Sequence, residues 1–119
     1  MNRDMELVRK IMLNIQGGDF HGGVEGYDDD TVNYHKALLA DKGLIEAKPH
    51  YSSTGEKPSD IPDLVMIKRM TWEGHDFIDA IGTDSKWNKV KAFLSQAGKD
   101  ITIETIKYGA KQLFGIPEG

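Results

Sequence analysis

DTVNYHKALLADKGLIEA, Asp30 to Ala47, is the stretch whose reading decides the fold. Asp29 or Asp30 suits a helix N-cap, and Gly43 suits the left-handed residue that ends a helix. Val32 and Leu39 lie two turns apart on one stripe, so the helix buries that side. Leu44 and Ile45 then carry the chain into a strand. A second strand reads from Asp63 to Met70, DLVMIKRM. Between the two lies HYSSTGEKPSDIP, too long and polar for a tight hairpin. The two strands are expected to pair antiparallel, with residues 52–62 as a mobile tip.

Upstream, Met5, Val8, Met12 and Ile15 recur at helical spacing, and Leu7 and Ile11 widen the stripe. A buried helix is expected from about Asn2 to Ile15. QGGDFHGGVEGYDDD breaks it with five glycines and five acids. This segment has no Gly-Lys-Ser/Thr ending and its charge repels phosphate, so it reads as a connector. Downstream, three helices follow Met70. Thr71 caps the first, TWEGHDFIDAI, whose packed face is Gly74, Phe77, Ile78 and Ile81, with the glycine allowing close approach. His75 is set to pair with Asp79 rather than with adjacent Asp76. Asp84 or Ser85 caps the second, with Trp87, Val90, Leu94 and Ala97 on one stripe. Thr102 caps the third, with Ile101 and Ile106 as a hydrophobic staple. Its buried face reads Ile103, Ile106, Ala110 and Leu113, and Gly115 and Pro117 stop it.

The order helix, broken segment, helix, strand, long tip, strand resembles the winged helix-turn-helix of bacterial repressors. The residues that carry the likeness are Val32, His35, Leu39, Gly43, Leu44 and Ile45, followed by the step Met70-Thr71-Trp72-Glu73-Gly74. The whole chain resembles a narrower family of small bacterial and phage proteins grouped as a domain of unknown function, through MNRDMELVRKI, YHKALLADKGLI and TWEGHDFIDAI…WNKVK. That resemblance implies a mainly α fold with a small antiparallel hairpin, a winged helix-turn-helix with two extra C-terminal helices. It also implies a regulatory role. One element departs from the pattern: the second helix of a standard helix-turn-helix falls in the glycine- and acid-rich segment, where it is reduced or absent. Residues 1–82 are expected to form the winged-helix domain. Residues 83–119 form a helical extension that packs on it or dimerises.

The winged-helix likeness directs attention to double-stranded DNA. Thr31, Asn33, Tyr34 and Lys36 are the candidate contacts on the recognition helix, with Lys48, Lys57, Lys68 and Arg69 on the wing. Arg9 and Lys10 are further phosphate candidates. Asp30, Tyr34, Ala37 and Asp41 fall on the outer face, with Asn33 at its flank, while Lys36 and Lys42 lie nearer the buried side and reach outward only by snorkelling. The acids beside Asn33 and Tyr34 weaken a DNA reading. The alternative is a scaffold that has lost DNA binding and contacts a protein partner through Tyr34 and Ala37. Leu38, on the helix shoulder, needs a cover from the C-terminal helices or from a second subunit in a homodimer.

Enzymatic readings find little to stand on. The 119-residue chain has no cysteine, which removes disulfides, thiolate zinc and thiol catalysis. His21, His35, His50 and His75 share no ligand spacing, so no metal or cofactor is expected, and His35 reads as packed. Ser52, Ser53 and Thr54 have no base in view. Asp28-Asp29-Asp30 lacks the spacing of a calcium loop and suits a helix start. The net charge of −4 is distributed in blocks, with acids over 17–30 and 72–85 and lysines over 86–99. No run approaches the ~20 apolar residues of a membrane span. With no secretory signal either, a cytoplasmic location is expected.

Overall fold

The structure is a computed structural model that describes residues 1–52, 58 and 60–115. Among these residues the chain forms five helices and one two-stranded sheet: α1 (Met5–Gln16), α2 (Asp29–Asp41), β1 (Ile45–His50), β2 (Leu64–Met70), α3 (Trp72–Ile81), α4 (Asp84–Gln96) and α5 (Ile103–Phe114). The fold is mainly α with a small antiparallel hairpin, in winged-helix order with two further C-terminal helices. No regular helix occupies residues 17–28.

Helix starts follow side-chain capping, and several lie away from the sequence expectation. Asp4 accepts the Leu7 amide, so α1 begins at Met5 rather than Asn2. Asp28, not Asp29 or Asp30, caps α2 by accepting the Thr31 amide at 2.8 Å. Thr83, not Asp84 or Ser85, caps α4. In each case the capping oxygen must reach back to an amide inside the first turn, and that turn starts one or more residues away from where the sequence placed it. Thr71 and Thr102 cap α3 and α5 as expected. β2 opens at Leu64, one residue after the expected start.

The expected stripe of α1 is buried in full: Met5, Leu7, Val8, Ile11, Met12 and Ile15. α1 packs on α2 and α3, and α3 packs in turn on α4 and α5. One hydrophobic core runs from Leu7 and Leu39 through Ile78 to Trp87, Leu94 and Ile106. Three apolar expectations fail at helix ends. Ala97, the C-cap of α4, is exposed, and Ile101 and Leu113 are each 40% exposed. Ile101 therefore makes no buried staple with Ile106.

Polar contacts fasten α4 to α1. The Trp87 indole donates to Glu6 Oε2 and the Lys91 ammonium to Glu6 Oε1, both at 2.9 Å. Burial pushes the Glu6 carboxyl up, but the hydrogen bonds from Lys91 and Trp87 outweigh it and hold the group below its ordinary value of 4.5. The stabilisation from this contact is therefore complete above pH 4.5 and is lost as the pH falls through the folded value. Glu6 is half-exposed, so the effect is under about 1 kcal/mol. Denaturation of the parent and of Glu6→Gln should give curves that converge below pH 4.5. A constant gap between them down to acid pH would refute the linkage. Arg9 is similarly committed to the fold rather than to phosphate. It donates to the Ile81 and Gly82 carbonyls, which end α3, and to Asp84 at 3.0 Å.

Candidate interaction surface around α2 and the hairpin

Five consecutive residues of α2, His35 to Leu39, are buried. A helix with one packed stripe cannot do this, so a second side of α2 is covered as well. The segment 17–28 covers one flank. The Lys36 ammonium donates to the Phe20 carbonyl at 3.2 Å and lies 3.5 Å from that of Gly22. Burial holds the Lys36 amine below its ordinary range, against the nearby charges of Asp19 and Asp29. Lys36 does not snorkel outward, because two backbone carbonyls hold it in place.

His35 is fully buried and joins α2 to the N-cap of α1. Its Nδ1 lies 2.8 Å from the Thr31 carbonyl, and its Nε2 accepts the Asp4 amide at 2.8 Å. A carbonyl can only accept and an amide N–H can only donate, so the ring is the neutral Nδ1–H tautomer. The Tyr27 hydroxyl donates to Asp4 Oδ2, bringing the connector to the same point. The Lys10 ammonium lies 5.8 Å from the centre of the Tyr27 ring.

The remaining side of α2 differs from its expected form. Ala37, assigned to the outer face, is only 4% exposed, and Leu38 is 5% exposed. Both form the floor of a cleft of about 230 Å³, so Leu38 is covered within one chain. Half-buried Tyr34 and exposed Tyr51 also line the cleft, with exposed Asp41 and Asp60 at the rim and exposed Arg3 from the N-terminal arm. The loop end of the hairpin is held to the helix by Asn33, whose amide donates to the Asp63 carbonyl at 3.1 Å. Thr31 is half-buried, with its amide on Asp28 and its carbonyl on His35. Lys42 pairs with Glu104 at 2.6 Å.

On the hairpin, Glu46 faces Arg69 and Ala47 faces Ile67, so Lys68 is an extra residue on β2. This bulge turns Lys68 and Arg69 outward together. Both meet the Glu46 carboxylate, Arg69 at 2.7 Å and Lys68 at 3.5 Å. Arg69 first, then Lys68, holds that carboxyl below its ordinary range. Lys48 is exposed opposite Met66. Lys57, Ser53 and Thr54 lie outside the described residues, as does part of the expected mobile tip.

On α3, Trp72 is 83% exposed and its ring centre lies 6.3 Å from that of His75. The expected partner of His75, Asp79, instead accepts the Gln16 amide at 3.4 Å.

Residues 2–100 match the family described as "Hypothetical protein (DUF2513)". The chain belongs to the DUF2513 family. This match takes in every element from α1 to α4 and ends just before α5. The chain is also similar to an "Uncharacterized protein" of Haemophilus influenzae, at 33% identity with 95% of each chain covered. No solved structure matches. Among the described residues, no helix is long and apolar enough to cross a membrane.

Proposed function

We propose that this DUF2513 chain is a non-enzymatic protein-interaction module on a winged-helix scaffold, with the cleft between α2 and the hairpin as its contact face. The observation that carries this reading is the position of Tyr34 and Ala37 in a cleft rimmed by Asp41 and Asp60. A major-groove helix needs a protruding face with free donors and nearby cations. On α2, Lys36 is clasped by the connector, Lys42 pairs with Glu104, Asn33 holds the hairpin, and Asp28 to Asp30 stand at the start. The decisive experiment is affinity capture from the source organism with the parent chain and with Tyr34→Glu. A partner lost on Tyr34→Glu, with an unchanged circular-dichroism spectrum, supports the reading. An identical set of captured proteins would sink it.

A second reading, DNA binding, draws on one observation: Lys48, Lys68 and Arg69 project from the hairpin into solvent. A DNA contact would then run through the wing rather than α2. Duplex binding would weaken steeply with salt and on Lys68→Ala or Arg69→Ala. It would strengthen on Glu46→Gln, which frees both cations. Retardation of DNA that ignores all three substitutions would rule this reading out. Both readings keep residues 1–82 as a winged-helix unit in the cytoplasm, with 83–119 as its helical extension. Tyr108 and Leu113 on α5 are the exposed apolar residues available to a homodimer.

A further inference from the structure

We propose that the cleft between α2 and the hairpin is a binding site for a single arginine side chain presented by a partner polypeptide. The inference rests on the protein-interaction reading and names the chemistry of that contact.

Size is the first consideration. About 230 Å³ is below the roughly 300–1,000 Å³ of pockets that hold cofactors or drug-sized ligands. It suits the end of one long side chain. Charge is the second. Asp41 and Asp60 against Arg3 leave the cleft one net negative charge (−2 and +1), which disfavours phosphate and carboxylate ligands. The third is the pair of tyrosines. Aromatic faces attract cations, and a planar guanidinium stacks on them while its five donors reach carboxylates at the edge. Beneath these groups, Ala37 and Leu38 offer an apolar floor to the methylene stem.

Arg3 sharpens the assignment. It lines the cleft as the chain's own cation, is itself exposed, and is carried by an arm that precedes α1. An incoming arginine meets like charge there, so Arg3 lowers affinity while Asp41 and Asp60 raise it. The substitutions therefore have opposite signs; net charge alone would move any cationic peptide the same way, so the site-specific reading is the preference for arginine over lysine, which shares the charge but not the planar fork.

The test is a ¹H–¹⁵N correlation titration of the full chain with an acetylated and amidated Gly-Arg-Gly peptide. Peptides with lysine or glutamate at the centre serve as comparisons. The arginine peptide should shift the amides of Tyr34, Ala37 and Tyr51 saturably, the lysine peptide more weakly, and the glutamate peptide not at all. Replacing both acids (Asp41→Asn with Asp60→Asn) should weaken binding roughly tenfold, since each exposed charge pair contributes a few-fold. Arg3→Ala should tighten it. Both acidic positions are exposed, and the remainder of the spectrum reports whether the fold is intact. Equal shifts from arginine and glutamate peptides, or binding indifferent to the two acids, would overturn the proposal. If Tyr34→Glu loses a captured partner while the arginine peptide moves no cleft amide, only the ligand assignment falls. Should duplex DNA move those amides instead, the interaction reading falls with it.

Discussion

Gly74→Ala should destabilise the protein by about 3 kcal/mol, the upper end for overpacking a closed site. The midpoint of thermal unfolding should drop by about 10 °C. A Cβ at Gly74 would sit 1.9 Å from the Leu44 carbonyl oxygen and 2.7 Å from Met70 Cγ. The methionine can move. The Leu44 carbonyl cannot do so cheaply, because it belongs to the backbone and accepts the Thr71 amide at 3.1 Å. The Thr71 hydroxyl clamps the same place, donating to the Gly43 carbonyl at 2.6 Å and accepting the Gly74 amide at 3.0 Å. Helix α3 therefore starts against the turn that ends α2, and only a hydrogen atom fits between them.

The sign of the effect is diagnostic. Without this approach, alanine for glycine in a helix would stabilise by up to about 1 kcal/mol. Gly109→Ala is the matched comparison. It lies inside α5, where a Cβ meets Val90, Phe93 and Leu94 at 3.4–3.6 Å, and it should be near neutral. Similar denaturation midpoints for the two variants would show that α3 does not seat on Leu44 as described.

His35→Ala is the second large effect, about 3 kcal/mol or more from a lost buried side chain and an orphaned amide. The ring is fully buried, and its two nitrogens join α2 to the N-cap of α1. Hydrogen exchange at the Asp4 amide should accelerate together with the loss of stability in chemical denaturation. His21→Ala, at an exposed position, should stay within about 0.5 kcal/mol of the parent. An His35→Ala variant as stable as the parent would remove His35 as a junction.

Much of the helical framework was legible in the sequence because local rules set it. Repeating apolar residues marked α1, Gly43 marked the end of α2 and has φ +74°, and Thr71 and Thr102 marked two caps. Gly74 was legible for the same reason, being a small residue on an otherwise apolar stripe. The misplacements at Asp28 and Thr83 have a local cause too. Several adjacent residues could cap, and backbone geometry chose among them.

The candidate site was much less legible. Tyr34 and Ala37 were placed together on one face of α2, correctly as neighbours, but periodicity assigns that face to solvent. Residues that close over it, Arg3, Tyr51 and Asp60, come from an N-terminal arm and a hairpin with no periodic relation to the helix. Lys36 is a similar case. Its burial depends on carbonyls 14 and 16 residues away in an irregular segment, and no side-chain pattern encodes where a carbonyl points.

By itself, then, the sequence determined the order of elements, the caps of α3 and α5, the glycines that end α2 and α5, and the close seat at Gly74. These depend on residues within a few positions of one another, through capping, φ preference and helical spacing. Only the tertiary structure decided that α2 is covered on two sides, that Lys68 and Arg69 share Glu46, and that Tyr34 overlooks a cleft instead of open solvent. Those outcomes depend on how distant segments pack, where burial and long-range hydrogen bonds outweigh the local preferences that a sequence displays.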